Sequence, residues 1–228
     1  MNYIDLIKKS VRKYEGQKYF NMDIPGISRL FPIVNVGKNI WIASNAEVVL
    51  GDIEFADKVS DLLAGKIKEN NGIDNILTAE AKAIGLSYFL AYKLGLDKII
   101  IARKSVKSYM VNPIIVKTRS ITTSHEQILV LNSIDANRIR DKKIIVFDDV
   151  ISTGNTIKSL INLAEKAGAK IVGIVTVWLE GPWPWEIFED YIKNRKLIFI
   201  SYLPIFAFGE EYFSLRQKIN SLLGRYHD

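Results

Sequence analysis

The hydrophobic pattern in the middle of the chain alternates between continuous apolar runs and apolar residues spaced three or four apart. The continuous runs lie in the segments 75–79, 97–104, 142–149 and 170–179. Short runs of this kind predict buried β-strands. The helical spacing lies in the segments 53–70, 81–94 and 157–164. Strands that alternate with amphipathic helices predict an α/β fold, with a parallel sheet and helices on both faces.

The N-terminal part of the chain departs from this alternation. Residues 1–15 place Ile7 and Val11 on one face and predict a helix. Residues 16–52 contain prolines and several glycines, and they predict irregular structure with one short strand near Trp41.

The C-terminal part departs from it as well. After residue 180, an aromatic and proline-containing segment precedes one more strand, at 196–203, and a final helix from about Glu210 to Leu223. We therefore predict a core formed by residues 40–180. The two chain ends, residues 1–39 and 181–228, are expected to form a small hood subdomain together.

Composition narrows the possible functions. The chain has 228 residues, no cysteine and a formal net charge of +6 at pH 7, which excludes disulfides and thiolate metal sites. Its basic residues are spread along the chain, which favours small anionic substrates over nucleic acid. The N-terminus lacks the pattern of a signal peptide, and no apolar run approaches membrane-spanning length. We expect a cytoplasmic protein with neither a membrane nor a nucleic-acid partner.

The segment 148–156, with the sequence DDVISTGNT, joins the end of a predicted strand to the start of a predicted helix. Backbone N–H groups at a helix start have no intrahelical partner, and the helix dipole is positive there. Hydroxyl groups add donors, and Gly154 permits a tight bend. The stretch from Ser152 to Thr156 therefore predicts a phosphate-binding loop. The Gly-Lys-Ser/Thr ending of a Walker A loop is missing.

Two adjacent aspartates, Asp148 and Asp149, directly precede this loop. Neighbouring carboxylates at a buried strand end repel each other unless a cation or hydroxyl groups meet them. The diol of a sugar offers a donor to each, and a nearby Mg²⁺ would offset their charge. Together with the phosphate loop, the pair predicts a phosphorylated sugar as the ligand.

This arrangement resembles the phosphoribosyl pyrophosphate signature of the type I phosphoribosyltransferases, in which an apolar strand, Asp-Asp and a Thr-Gly-x-Thr loop follow one another. The stretch TAEAKAIGL, residues 78–86, is similar to the pyrophosphate loop of that family, although Ala83 stands where glycine is usual. Residues 102–105, ARKS, resemble the Arg-Lys that reaches pyrophosphate. Residues 111–132 have two β-rich arms around a polar centre, and they occupy the place of the flexible catalytic loop.

The resemblance implies a role for each matching residue. Asp148 and Asp149 would bind the ribose hydroxyls. The 5′-phosphate would be bound by Ser152, Thr153, Gly154, Asn155 and Thr156. The pyrophosphate site would be shaped by Glu80, Ala81, Lys82, Arg103 and Lys104. The resemblance also implies Mg²⁺ as the cofactor, held mainly through the substrate without a direct protein ligand. It further implies that the protein forms a homodimer.

The C-terminal third resembles the base-binding part of 6-oxopurine enzymes. Those enzymes carry a lysine on the strand that corresponds to 170–180, but Glu180 stands there in this chain. A carboxylate accepts hydrogen bonds and so suits the 6-amino group of adenine. Ser152 replaces the aspartate that oxopurine enzymes place near the purine N7, which agrees with adenine. Trp178 and Val150 are expected to contact the base.

The flexible loop supplies two further candidates. Adenine enzymes use a glutamate in this loop, and Glu126 is the candidate here for a catalytic role, together with Lys82 and the two aspartates. His125 is read either as a residue that closes over pyrophosphate or as an exposed loop residue.

Three functions stay open at this point. The main prediction is an enzyme that transfers a phosphoribosyl group from phosphoribosyl pyrophosphate to a purine, with adenine preferred. The nearest alternative is the same reaction on hypoxanthine, guanine or xanthine. The third is a regulator that senses phosphoribosyl pyrophosphate and binds nucleic acid, although residues 1–50 are too short and irregular for a winged-helix module.

Overall fold

A computed structural model describes residues 2–68, 72–119 and 126–226. The helices are α1 (Tyr3–Lys9), α2 (Ala46–Gly51), α3 (Ile53–Lys68), α4 (Ala83–Leu94), α5 (Ser133–Ile139), α6 (Asn155–Lys166), α7 (Trp183–Ile187), α8 (Glu189–Lys193) and α9 (Gly209–Leu223). The strands are β1 (Val11–Lys13), β2 (Tyr19–Ile24), β3 (Ile27–Gly37), β4 (Ile40–Ala43), β5 (Asn75–Ala79), β6 (Ile99–Ala102), β7 (Ile114–Arg119), β8 (Glu126–Leu131), β9 (Lys143–Ile151), β10 (Lys170–Glu180), β11 (Leu197–Ile198), β12 (Ser201–Leu203) and β13 (Ile205–Ala207).

The main sheet has the strand order β11-β10-β9-β5-β6, with β12 also paired to β10, and all of these pairs are parallel. Successive residues of β9 face opposite sides, as the period of a strand requires. Ile144 and Val146 belong to one apolar cluster together with residues of α6, whereas Ile145 and Phe147 belong to a second cluster together with residues of α3 and α4. The predicted parallel sheet with helices on both faces is confirmed.

A second sheet, with the order β1-β13-β4-β3-β2, is built from both ends of the chain. The prediction of one helix over residues 1–15 was wrong, because α1 ends at Lys9 and β1 then pairs with β13. The prediction of irregular structure over residues 16–52 was also wrong, because β2, β3 and β4 form antiparallel pairs there.

The strands do not divide at the predicted core boundaries of residues 40 and 180. β4, which begins at Ile40, belongs to the second sheet, whereas β11 and β12, which follow residue 180, belong to the main sheet. The chain therefore passes between the two sheets near both of its ends. No single linker separates one sheet from the other.

The segment 111–132 contains an antiparallel hairpin of β7 and β8, with Ile114 opposite Leu131. Its two β-rich arms are therefore confirmed. The polar centre at 120–125, including His125, lies outside the described residues. In the described part of the chain, no helix has both the length and the apolar character needed to cross a membrane.

Candidate active site

The predicted ligand residues meet at the carboxyl edge of the main sheet, where ligands bind in parallel α/β folds. Asp148 and Asp149 lie near the end of β9, and Glu180 is the last residue of β10. Glu80 and Lys82 follow β5 directly and precede α4. Since neighbouring parallel strands end side by side, Lys82, Asp149 and Glu180 line one small cavity, and Asp148 lines the cavity next to it.

The predicted phosphate loop lines a cavity of about 120 Å³ between the end of β9 and the start of α6. Gly154, the residue before the helix, has a left-handed φ of +73°. The N–H of Lys158 donates to the carbonyl of Gly154, so the first helical bond closes there. The backbone N–H groups in the first turn of α6 come before this bond. They therefore point toward the N-terminal end of the helix, where the cavity lies, as an anion site requires.

The two aspartates differ in their surroundings. The side chain of Asp149 is 5% exposed, and its Oδ2 lies 3.3 Å from Nζ of Lys82. Asp148 accepts a hydrogen bond of 3.0 Å from the N–H of Asp149. Burial, and then the negative charge of Asp149, raise the pKa of Asp148 well above its ordinary value. A second negative charge beside Asp149 is therefore unfavourable in the protein alone, and a ligand with hydroxyl donors or a cation would stabilise it.

The residues assigned to pyrophosphate form a bonded unit between β5 and β6. Nε of Arg103 donates to Glu80 Oε2 at 2.6 Å, and the N–H of Lys104 donates to the other carboxylate oxygen. Burial acts to raise the pKa of Glu80, but these two hydrogen bonds and the charge of Arg103 outweigh it, so the pKa lies below its usual value. Glu80 therefore positions the loop, while Lys82 extends into the site and Lys104 is exposed to solvent.

A small cavity of about 30 Å³ lies between Glu180 and the second sheet. Val150, Trp178 and Glu180, the three residues predicted to contact the base, all line it, together with Lys82 and Asp149. Glu180 is buried and also forms a hydrogen bond with the side chain of Ser152. Burial raises the pKa of Glu180, while the Ser152 hydroxyl and the charge of Lys82 oppose that rise.

The structure adds residues to this cavity that sequence reasoning missed. Phe31 from β3, and Ser44 and Asn45 just before α2, form its other wall. Asn45 is already used in the fold, because its side chain accepts from the N–H of Val48 and donates to the carbonyl of Leu30. The missed residues lie in the segment predicted as irregular, so no periodicity pointed to them.

Trp178 is 1% exposed, and Phe55 stacks on one face of its indole at a centroid distance of 5.5 Å. The ring of Phe31 contacts the same indole edge to face, also at a centroid distance of 5.5 Å, and covers a further side of it. Because core residues cover so much of the ring, only its edge at the cavity remains for a ligand, and its role in base stacking stays a prediction. The side chain of Glu126 lies outside the described part of the structure, so its catalytic role also stays a prediction.

A parallel α/β sheet with an anion-binding strand–loop–helix turn at its carboxyl edge defines a class of proteins that bind phosphorylated ligands. Within that class, residues 50–195 match the model of the phosphoribosyl transferase domain. The chain therefore belongs to the phosphoribosyl transferase family, and it is an enzyme of the type I phosphoribosyltransferase class.

Individual relatives agree with this assignment. The chain is 34% identical over 132 residues, 57% of its length, to the adenine phosphoribosyltransferase of Solidesulfovibrio magneticus, of which 71% is covered. It is 31% identical over 130 residues, 55% of its length, to the xanthine phosphoribosyltransferase of Lactobacillus delbrueckii subsp. bulgaricus, of which 67% is covered. The crystal structure of the adenine phosphoribosyltransferase from Thermoanaerobacter pseudethanolicus shares the fold, with a TM-score of 0.58, 19% identity and coverage of 87% of this chain and 99% of that one.

Proposed function

We propose that this protein transfers the phosphoribosyl group of phosphoribosyl pyrophosphate to a purine, with adenine preferred, and releases AMP and pyrophosphate. The observation that carries the proposal is the common location of three features. A phosphate loop, an aspartate pair and a small cavity ending in Glu180 adjoin one another at the end of β9 and β10. Each matches a different part of a nucleotide: phosphate, ribose and base.

The reaction breaks the bond between the anomeric carbon and a pyrophosphate oxygen, which keeps the electron pair. A ring nitrogen of the purine bonds to that carbon, and the proton of this nitrogen passes to the departing pyrophosphate. Asp148 and Asp149 hold the ribose hydroxyls and lie near the positive charge that develops on the sugar. Lys82 leaves its contact with Asp149 and meets the departing pyrophosphate together with Arg103 and Lys104.

The described residues of this site offer few direct ligands for Mg²⁺. Among the described residues, no group of three or more histidine, aspartate or glutamate side chains is placed to hold a metal. Mg²⁺ is commonly bound through few carboxylates and through substrate phosphates. We propose that Mg²⁺ would be held mainly through phosphoribosyl pyrophosphate, beside Asp148 and Asp149, and would supply positive charge for the leaving group. The homodimer and the cytoplasmic location predicted from the sequence belong to the same proposal.

The preference for adenine rests on Glu180. Its carboxyl group is buried in the wall of the cavity, where it accepts a hydrogen bond from an amino group but repels a carbonyl oxygen. The adenine relative supports this assignment. A panel of adenine, hypoxanthine, guanine and xanthine, each with phosphoribosyl pyrophosphate and Mg²⁺, tests it by ultraviolet absorbance. Turnover of adenine well above that of the other three is expected.

Transfer to a 6-oxopurine is the second candidate, and one observation favours it. Lys82 lines the same cavity as Glu180, and an ammonium group donates to a carbonyl oxygen. The xanthine relative agrees with this alternative. Turnover of a 6-oxopurine without turnover of adenine in the panel would select it.

The variant Glu180→Lys separates the two candidates at the residue itself. If Glu180 reads the 6-amino group, an ammonium group in its place repels that amino group and favours a carbonyl oxygen, so kcat/KM for adenine is expected to fall about 100-fold or more. The KM for phosphoribosyl pyrophosphate, measured in the same assay, shows how much of the loss arises at the phosphate loop, where Ser152 contacts Glu180. Unchanged adenine turnover in this variant would rule out a role of Glu180 in base recognition.

A further inference from the structure

One buried N–H group at the candidate active site has no partner in the described part of the chain. Four buried side-chain atoms form no hydrogen bond there, namely the hydroxyl oxygens of Ser60 and Thr78 and the Nε1 atoms of Trp178 and Trp185. Trp178 lines the small cavity beside Glu180, whereas the other three residues line neither cavity of the site. A buried tryptophan N–H is normally paired, so the donor of Trp178 indicates a partner that arrives with a ligand.

The packing around Trp178 leaves the cavity as the place for that partner. Phe55 lies parallel to the indole and Phe31 meets it at 73°, and neither side chain carries a nitrogen or oxygen that could accept the N–H. Trp178 is also shielded from solvent. Because the residue lines the cavity, a ligand atom placed in the cavity can pair its N–H.

Trp178 and Glu180 lie on the same face of β10, because side chains two residues apart on a strand point the same way. Their Cα atoms are about 7 Å apart at this spacing. The register places Trp178 opposite Val150 of β9 and Glu180 opposite Leu203 of β12, and all four residues line the cavity. A donor and an acceptor therefore adjoin each other on one wall, each with an apolar neighbour.

This order of donor and acceptor matches one edge of adenine. The 6-amino group of adenine donates, and the ring nitrogens N1 and N7 on either side of it accept. A 6-oxopurine has an acceptor in place of the amino group, and its N1 carries a proton. The cavity measures about 30 Å³, which suits the edge of a base rather than its face.

We propose that Nε1 of Trp178 donates a hydrogen bond to a ring nitrogen of adenine beside the 6-amino group, while Glu180 accepts from that amino group. Trp178 then recognises the base through its edge rather than by stacking, since Phe55 already covers one face of the indole. Two directed bonds fix the orientation of the base, which the carboxylate alone does not. The inference rests on the proposed function and adds a second specificity-determining group to it.

Removal of the single N–H tests the proposal. Incorporation of 3-benzothienylalanine at position 178 keeps the shape of the side chain but puts sulfur in place of the N–H. The kcat/KM for adenine is expected to fall about threefold to tenfold, as for the loss of one hydrogen bond. The same replacement of Trp185 is the matched control, because its N–H is also buried and unpaired but does not line the site. It should leave kcat/KM unchanged.

Adenine analogues separate the hydrogen bond from packing. 1-Deazaadenine and 7-deazaadenine each have a carbon in place of one ring nitrogen. The wild-type enzyme should use the analogue that lacks the bonded nitrogen at least about tenfold less well than adenine, because the buried N–H then stays unpaired. That difference should narrow when the N–H of Trp178 is absent. If neither analogue shows a narrower difference, the proposal is overturned.

The indole N–H signals of the ¹⁵N-labelled wild-type protein provide a second measurement in case the variant does not fold. The chain has four tryptophans, so Trp41→Phe, Trp183→Phe and Trp185→Phe assign the signal of Trp178 by elimination. Saturating AMP should move this signal downfield, as a new hydrogen bond requires. A signal that stays in place while AMP binds would overturn the proposal. Failure of the proposed function would appear separately, as absence of adenine turnover in the wild-type enzyme.

Discussion

Gly154 combines a left-handed backbone with a close neighbour. Its φ is +73°, and a Cβ atom there would lie 2.7 Å from Cε2 of Phe188. We predict that Gly154→Ala lowers the free energy of unfolding by about 2–4 kcal/mol, of which about 1 comes from the backbone and the rest from overpacking. The KM for phosphoribosyl pyrophosphate should also rise, because the phosphate loop must shift.

Gly95→Ala is the matched control for that variant. Gly95 has a similar φ of +71°, but nothing lies within 4 Å of a Cβ at this position. This substitution should cost only about 1 kcal/mol in urea unfolding and leave the KM unchanged. Equal losses in both variants would show that the contact with Phe188 has no effect.

The raised pKa of Asp148 leads us to predict that the stability of the folded protein depends on pH in an unusual way. Its pKa is raised in the folded protein by burial and by Asp149, so the folded state binds more protons than the unfolded state above the ordinary pKa of 3.8. The free energy of unfolding should therefore fall as the pH rises through this window. Glu180, whose pKa is also raised by burial, contributes in the same direction.

Asp148→Asn isolates the contribution of that one carboxyl group. The variant should be more stable than the wild type at neutral pH and should lose this advantage as the pH falls toward 4, while its turnover drops. Urea unfolding of both proteins at a series of pH values measures the difference. An advantage that does not change with pH would contradict the assigned cause.

The residue types near the ends of β9 and β10 are the part of the candidate site that could be predicted from the sequence. The aspartate pair and the loop 152–156 carry their chemistry in a local pattern, whereas Glu180 was found through the family resemblance, and the structure brings all of them to one edge of the sheet. Phe31 and Ser44 could not be found in this way, because their place in the cavity depends on strands from distant parts of the chain. The contact between Ser152 and Glu180 is likewise a product of the folded sheet.

At the level of elements, Glu80 joins the loop after β5 to the end of β6 through Arg103 and the N–H of Lys104. We predict that Glu80→Ala raises the KM for phosphoribosyl pyrophosphate about fivefold or more, which corresponds to about 1 kcal/mol for a partly buried ion pair with a charged hydrogen bond. The KM for the purine should change less than twofold, since Glu80 does not line its cavity. Initial-rate kinetics with each substrate varied in turn measures both values.

Asp135→Ala is the control for the loss of an ion pair in general. It removes the contact of Asp135 with Arg138 at 3.1 Å on α5, and both KM values should stay the same. If Glu80→Ala behaves like this control, Glu80 does not position the pyrophosphate loop.

The elements that sequence reasoning missed share a physical cause. β1 and β13 have three residues each and pair across nearly the whole chain, with Val11 opposite Ile205, so neither carries a local period long enough to detect. The β2–β3 hairpin did have a local signal: Phe20, Met22 and Ile24 alternate with polar residues, and the Pro25-Gly26 turn follows with a left-handed glycine. The prolines and glycines around it obscured that alternation.

At the level of the whole molecule, both chain ends are integrated into the core. One apolar cluster contains Ile7 of α1, Leu160 of α6, Ile205 of β13 and Ile219 of α9. It therefore connects the main sheet, the second sheet and the last helix. Because these parts bury their apolar surface together, we expect the two sheets to unfold in one transition rather than as separate domains.

Ile219→Ala tests this expectation. Ile219 is fully buried, so its truncation should lower the free energy of unfolding by about 2–5 kcal/mol. Phe213→Ala, on the same helix but at a residue that is 68% exposed, should change it by no more than about 0.5 kcal/mol. Circular dichroism and tryptophan fluorescence should follow the same urea transition in both variants, and the KM values of the folded enzyme should be unchanged. If Ile219→Ala instead splits the transition in two, the hood and the core are separate folding units, and the shared cluster does not couple them.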